Sequence, residues 1–180
     1  MIFKSWIKLL QPDIVVAGTV LNLMPEMLIE RGIQGIIFDV DNTLVPIQEE
    51  MAAPEIEVWL QPVREQFQVW LVSNNLDMGR IRKIAEQIEI RYISRAAKPS
   101  RRALRQVIEH MSLPPERVAI VGDRLLTDVL AGNRLGLLTV LVKPLVSIQR
   151  DPVAEGLELV AALPIESVEV EHPEMDPNAH

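Results

Sequence analysis

There is no cysteine among the 180 residues. Disulfides and thiolate-bound zinc or iron–sulfur centres are therefore excluded, and the composition fits a reducing cytosol. Long apolar runs are missing as well. No stretch approaches the ~20 residues of a membrane-spanning helix, and no signal-peptide pattern with a cleavage site follows the start, so a soluble or peripheral protein is expected. Aromatic residues make up only 4% of the chain. Tyr92 alone falls within the most basic stretch, which leaves little to stack on bases. A net charge of −7 also argues against general nucleic-acid binding. No internal repeat is visible.

What is there is the composition of a folded chain, 48% hydrophobic, in a length that suits one domain of ordinary size. The charge is uneven. Between Arg80 and Arg105 lie nine of the 18 basic residues against two acids, Glu86 and Glu89, while from Arg150 onward eight acids face one base. The expected organisation is a single domain over 1–164, with an N-terminal helical segment 1–32 and a core at 33–143. An acidic, flexible tail follows at 165–180.

In residues 1–12, Phe3, Trp6, Ile7 and Leu10 recur at helical spacing, with Lys4 and Lys8 among the polar positions and no acid. Such a helix either lies in a membrane interface or docks on the protein's own sheet. Residues 13–16 read as a short extended piece. Pro25 opens a helix that Gly32 closes, with Met24, Met27 and Leu28 inward. An apolar strand from Gly35 ends in Asp39 and Asp41. A helix starts near Pro54 with Ile56, Trp59, Leu60 and Val63 on one face, and Pro62 is expected to end or kink it. Residues 67–73 form the next strand. Ile81, Ile84, Ala85 and Ile88 mark a helix and residues 91–94 a short strand. Leu104, Val107, Ile108 and Met111 mark a helix whose first position is Pro99, which puts Lys98 at its positive end. Residues 117–123 are a buried strand, Asp128 starts a helix that closes around Asn133 and Arg134, and 137–142 is the last strand. A C-terminal helix is expected near 152–163. The alternation predicts an α/β protein, a Rossmann-like three-layer α/β/α sandwich with a mainly parallel sheet.

In such a sheet the carboxyl ends of the strands share one edge, where ligands bind. Asp39 and Asp41, Ser73 and Asn74, Lys98, and Asp123 and Asp128 are therefore expected at one crevice. A buried strand that ends in carboxylates needs a partner for their charge, an ion pair or a metal. Singly, each signal has a plainer reading. The aspartates fit an ordinary Asp/Asn/Thr turn. They also fit an EF-hand loop, with Asp39, Asp41, Thr43 and Glu50 at its first, third, fifth and twelfth places. Leu44 then occupies the sixth place, where glycine is needed, and the preceding run is strand-like. Ser73 and Asn74 alone read as a turn after a strand, Lys98 as one surface charge in a basic run, and Asp128 as a helix cap.

Four signals in this order, FDVDNTLV, LVSNN, the Lys98 of AAKPS and VGDRLLTDV, resemble the haloacid dehalogenase (HAD) superfamily of phosphohydrolases. LLQPD near the start, the GIIFDVDNTLV block, and GDRLLTDVLAGNRLG running into TVLVKP are similar to its class IIIA, YqeG-type subfamily, related to phosphatidylglycerophosphate phosphatases. The resemblance implies that Asp39 attacks phosphorus to give an aspartyl-phosphate and that Asp41 protonates the leaving oxygen, then activates water. It implies phosphate binding by Ser73, the Asn74 region and Lys98. Magnesium would be held by Asp39, the backbone carbonyl of Asp41, and Asp123, with Asp128 ligating or orienting. Lids in this superfamily come from inserts after the first motif or between the second and third. Here those intervals hold one helix, and one helix with one strand, so no large cap domain is expected.

An open site of this kind suits a large substrate, or a lid supplied by a neighbouring subunit. The implied function is hydrolysis of phosphatidylglycerophosphate to phosphatidylglycerol by a cytoplasmic protein, peripheral on the inner face of the membrane. Residues 1–12 would touch the membrane and the Arg80–Arg105 region would attract anionic headgroups. Alternatives within the chemistry are a sugar phosphate, a nucleotide or a phosphoprotein. An alternative of another class is a non-catalytic phosphate- or RNA-binding module, against which the intact set of Asp39, Asp41, Lys98 and Asp123 speaks.

Overall fold

The apolar runs form six strands, β1 (Ile14–Val15), β2 (Gly35–Phe38), β3 (Gln68–Val72), β4 (Arg91–Ile93), β5 (Val118–Gly122) and β6 (Leu138–Leu141), in a computed structural model that describes residues 7–145. They make one sheet in the order β1-β6-β5-β2-β3-β4, every neighbouring pair parallel. β2 sits inside it, with Phe38 in register with Leu71 on one side and Val121 on the other. All of β2 is buried, which is why its sequence is continuously apolar rather than alternating.

Helices cover both faces of the sheet: α1 (Pro25–Ile29), α2 (Pro54–Gln66), α3 (Met78–Gln87), α4 (Arg102–Met111) and the short α5 (Leu130–Asn133). On one side Leu28, Ile56, Leu60, Ile81 and Ile84 share a core with Ile36, Phe38 and Leu71. On the other, Leu104, Val107 and Met111 pack with Ile37, Trp70 and Ile120. The split of Ile36 and Phe38 from Ile37 is the period of two of a strand. Each fully buried Leu or Ile contributes ~1.5–3 kcal/mol, so these two layers hold the sheet. The chain runs β2, β3, β4 towards one edge and then crosses to β5 on the other side of β2. That reversal opens a crevice at the carboxyl end of β2.

Local expectations fail at three prolines or their neighbours. α2 runs through Pro62 to Gln66. Pro62 is exposed and Val58, whose carbonyl loses a donor, is 71% exposed, so the lost bond falls on the surface side of the helix, where it costs least. α4 begins at Arg102, not at Pro99. The Lys98–Pro99 peptide is cis and lies in a turn closed by Ser100 N donating to Ala97 O at 2.8 Å. Lys98 thus stands on a loop rather than at a helix terminus. Met24, before Pro25, has extended backbone angles and is 59% exposed, because it precedes the helical repeat that turns Leu28 inward.

The segment before β1 is tied down by side chains. Asp13 Oδ2 accepts from the N–H and Oγ1 of Thr139, each at 2.8 Å, and Asn133 Nδ2 donates to the carbonyls of Leu9 and Gln11 at 2.9 and 2.8 Å. Of the apolar stripe near the start, Phe3 and Trp6 lie outside the described residues, and Ile7 is 40% exposed. The helix expected at 152–163 and the acidic tail also lie outside them. Among the described residues the intervals after β2 and β3 hold no cap domain, and no helix is long and apolar enough to cross a membrane.

Candidate active site

Asp39 follows the last residue of β2 directly, and its N–H still donates to Val121 O at 2.9 Å as if the strand continued. Its carboxylate is 5% exposed as a residue and meets the ammonium of Lys98 at 2.7 Å. The same Nζ donates to Val72 O at 2.7 Å and lies 2.7 Å from Asp128 Oδ1. An ammonium has three donors; two make hydrogen bonds, to Asp39 Oδ1 and Val72 O, whereas the contact with Asp128 Oδ1 is an ion pair that leaves this buried oxygen without a hydrogen-bond partner among the described residues. Asn74 sets the lysine's position from behind. Its Oδ1 accepts the Lys98 N–H at 2.7 Å and its Nδ2 donates to the Lys98 carbonyl at 2.9 Å. This two-point clamp occupies the Asn74 side chain, leaving its backbone N–H for an anion. Among the described residues, no protein acceptor takes the backbone N–H of Asn74, Val40 or Asp41.

The second aspartate faces elsewhere. Asn42 has φ of 60°, a conformation asparagine tolerates, and turns the chain so that Val40 O receives the N–H groups of Leu44 and Val45 at 3.0 Å. Asp41 Oδ1 then accepts from Arg80 Nη1 at 2.6 Å, and Asn75 Nδ2 donates to Asp41 Oδ2 at 3.0 Å. Ser73 Oγ is 3.5 Å from Asp41 Oδ2 and fully buried. Arg80 comes from the first turn of α3, which Asp77 caps by accepting the Arg80 N–H at 3.0 Å. Its remaining donors go to Glu49 O at 2.7 Å and Pro46 O at 2.9 Å. The guanidinium thus locks the loop after β2 and the Asp41 carboxylate together.

Asp39, Asp123 and Asp128 each offer a carboxylate oxygen within 4.8 Å of one another. Burial raises Asp39 to about 7, with Lys98 pulling it down and Asp128 and Asp123 pushing it further up. Burial and then Asp128 raise Asp123 to about 6, opposed by Arg124. Burial works against the Lys98 charge, yet Asp128 and Asp39 outweigh it and hold Lys98 above the ordinary lysine range. One buried ammonium, with the partly exposed Arg124 at 4.0 Å from Asp123, faces three carboxylates and leaves net negative charge in an all-oxygen pocket. That donor set fits a hard divalent cation.

Gly122 makes room for this cluster. A Cβ there would overlap the carboxylate of Asp128. Gly122→Ala is expected to displace Asp128, to lower stability by ~1–3 kcal/mol through overpacking, and to reduce the gain in Tm on adding magnesium. Chemical denaturation with and without the metal measures both; wild-type values in the variant would refute the close fit.

All the residues singled out from sequence meet at this edge, but in two groups. Asp39, Lys98, Asp123 and Asp128 form one, with Asn74 behind the lysine. Asp41 and Ser73 belong to the other, with Arg80 and Asn75, two residues not singled out from sequence. Arg80 had a signal: it stands four residues before Ile84 on the buried face of α3, where an arginine needs a carboxylate. The cations of the basic stretch divide between the site and the surface. Arg80 and Lys98 are buried in the site, and Arg82 and Lys83 pair with Glu86 and Glu50 at 2.7 and 3.0 Å.

A parallel three-layer fold with buried carboxylates and a lysine at one strand edge defines a HAD-like hydrolase, and the family model described as "HAD-hyrolase-like" matches residues 95–147. The chain is 39% identical over 141 residues, 78% of its length and 81% of the relative's, to "Probable phosphatase YqeG" of Bacillus subtilis (strain 168). It belongs to the HAD superfamily, as a phosphatase of the YqeG type. It is also 29% identical over 67% of its length to "Phosphatidylglycerophosphate phosphatase 1, chloroplastic/mitochondrial" of Arabidopsis thaliana, of which it spans 37%. To "Phosphatidylglycerophosphate phosphatase 1, chloroplastic" of Chlamydomonas reinhardtii it is 34% identical over 63% of its length, spanning 46% of that protein. A solved structure of an uncharacterized protein from Listeria monocytogenes serotype 4b shares the fold, with a TM-score of 0.52 at 15% identity, over 73% of this chain and 100% of that one.

Proposed function

We propose that the protein is a magnesium-dependent phosphomonoester hydrolase that works through an aspartyl-phosphate on Asp39, and that its substrate is phosphatidylglycerophosphate. The observation that carries the chemistry is the Lys98 ammonium held 2.7 Å from both Asp39 and Asp128 beside a three-carboxylate cluster. A carboxylate is a competent nucleophile for phosphorus. Asp39 attacks, the ester P–O bond breaks, and Asp41 gives the leaving oxygen its proton. Asp41 then takes a proton from water as that water attacks phosphorus, and Asp39 departs as carboxylate with release of inorganic phosphate. Arg80 and Asn75 orient the Asp41 carboxyl group, and in the first step Asp41 exchanges part of this hold for one on the leaving oxygen. Lys98, Ser73 Oγ and the free N–H groups of Val40, Asp41 and Asn74 compensate the charge on the phosphoryl oxygens.

Asp39, Asp123 and Asp128, with the Asp41 carbonyl, would hold magnesium, which when bound offsets the negative charge shared by phosphate and carboxylates. The lipid substrate is supported by the names of the plant and algal relatives and by the absence of a cap domain among the described residues, which suits a headgroup presented at a surface. A cytoplasmic protein, peripheral on the inner face of the membrane, fits that substrate.

Phosphate release from a panel tests the reading. Phosphatidylglycerophosphate in mixed micelles is expected to be turned over with magnesium and not after chelation. A sugar phosphate, nucleotide or phosphopeptide turned over faster than the lipid would overturn the substrate and leave the chemistry; metal-independent turnover would overturn the cofactor.

A further inference from the structure

We propose that an arginine-lined cleft at the start of α4 is a second anion site, distinct from the acidic crevice, which takes phosphate groups of an anionic phospholipid surface. The cleft has a volume of about 590 Å³, and Arg101, Arg102, Arg105 and Arg134 line it with a single carboxylate, Glu109. No ion pair among the described residues joins any of these four arginines to a carboxylate. Of the other cations of the same basic stretch, Arg80, Arg82, Lys83 and Lys98 pair with carboxylates, while Arg91 lies over the Trp70 ring and Arg95 donates to Leu76 O.

The clustering works against the fold. Arg101 and Arg105 stand four apart and Arg102 and Arg105 three apart on one helix, spacings at which like charges repel. General basicity does not explain it, since the whole chain carries −7. Two of the arginines are held in place: Arg134 Nη1 donates to Pro99 O at 3.1 Å and Arg101 Nη1 to Arg134 O at 3.4 Å. Arg102 and Arg105 are exposed, and guanidinium forks match phosphate oxygens in a way ammonium groups do not. The helix N-terminus adds potential of the same sign.

Placement gives the site its use. Ser100, on the wall of the cleft, is two residues from Lys98, at most ~7 Å along the chain. A surface bound through the cleft therefore lies next to the mouth that would receive a headgroup. This rests on the lipid reading under Proposed function, but the measurement that decides it is binding, not turnover.

The test is binding of the full chain to phosphatidylcholine vesicles containing phosphatidylglycerol, to phosphatidylcholine vesicles alone, and to inorganic phosphate, for wild type and Arg102→Gln/Arg105→Gln. An arginine near an anionic surface is worth about fivefold in affinity, so the double variant is expected to bind the anionic vesicles about 25-fold more weakly. Its turnover of a soluble aryl phosphate should be unchanged and its Tm equal or higher, since like charges are removed. Equal vesicle affinity of wild type and variant would overturn the site. Phosphate binding that the variant loses, without vesicle binding by either protein, would keep an anion site and overturn the lipid source. Vesicle binding as expected with no phosphatidylglycerophosphate turnover would sink the proposed substrate and leave the cleft standing.

Discussion

Asp39→Asn is expected to abolish turnover, by ~10⁴-fold or more in kcat, because an amide is no nucleophile for phosphorus and the residues of such a site act as a unit. The same substitution should leave the metal-free fold intact. Burial and the neighbouring carboxylates raise Asp39 to about 7 from 3.8, so the folded chain favours the uncharged side chain that asparagine mimics. The sign follows by linkage. Between pH 3.8 and about 7 the folded protein keeps a proton that the unfolded chain has lost. This contribution to stability is full below the lower value and is lost as pH rises through the upper one. Asp123, raised to about 6, acts in the same direction. Without metal, the Tm of wild type relative to Asp39→Asn should therefore fall as pH is raised across that window. Added magnesium should stabilise wild type more at the top of the window than at the bottom. Thermal melts of both proteins against pH, with kinetics on one soluble phosphate ester, measure all of this. Retained turnover in the variant would sink the nucleophile assignment.

Lys98→Met has the largest expected effect on stability. The ammonium hydrogen-bonds Asp39 and the Val72 carbonyl and pairs by charge with Asp128. Methionine fills a similar volume but leaves two buried carboxylates facing each other without a cation. Breaking a buried pair from one side costs ~3–5 kcal/mol. At high magnesium the loss should shrink, since a bound cation supplies part of the missing charge, whereas a packing defect would not respond to the metal. Turnover should fall by ~10²–10³-fold, the usual effect of removing one preorganised charge partner. Denaturant titrations at several magnesium concentrations separate the two explanations, and a metal-independent loss would point to packing. Asn74→Ala should weaken activity in the same sense but less, because it frees the Lys98 backbone and leaves its charge in place.

The sheet and its catalytic edge were legible from local patterns. β2, β3 and β5 are apolar runs that stop at polar residues, and such a run reads the same whichever neighbours it acquires. Helices were legible from periodicity, as with Ile56, Leu60 and Val63 in α2. The failures came where a local rule met its surroundings. Pro62 is tolerated inside α2 because it and Val58 lie on the exposed side of the helix, where a lost backbone bond costs least. Pro99 starts a helix only if Lys98 is free to flank it, and here Asn74 holds both backbone groups of Lys98 in a loop.

The sequence by itself determined which residues share one edge of the sheet. Two aspartates one residue apart at a strand end, a lysine after a later strand, an aspartate after another strand and one more in the helical turn behind it come together there, because parallel strands bring their carboxyl ends to one edge whatever the packing details. Only the tertiary structure decided how the charges are shared. Lys98 goes to Asp39 and Asp128, Arg80 to Asp41, and, among the described residues, Arg101, Arg102, Arg105 and Arg134 to no carboxylate. Sequence spacing does not carry that information, since Arg80 and Asp41 are 39 residues apart. Their pairing depends on α3 docking over the loop after β2, where a buried guanidinium finds a carboxylate within reach.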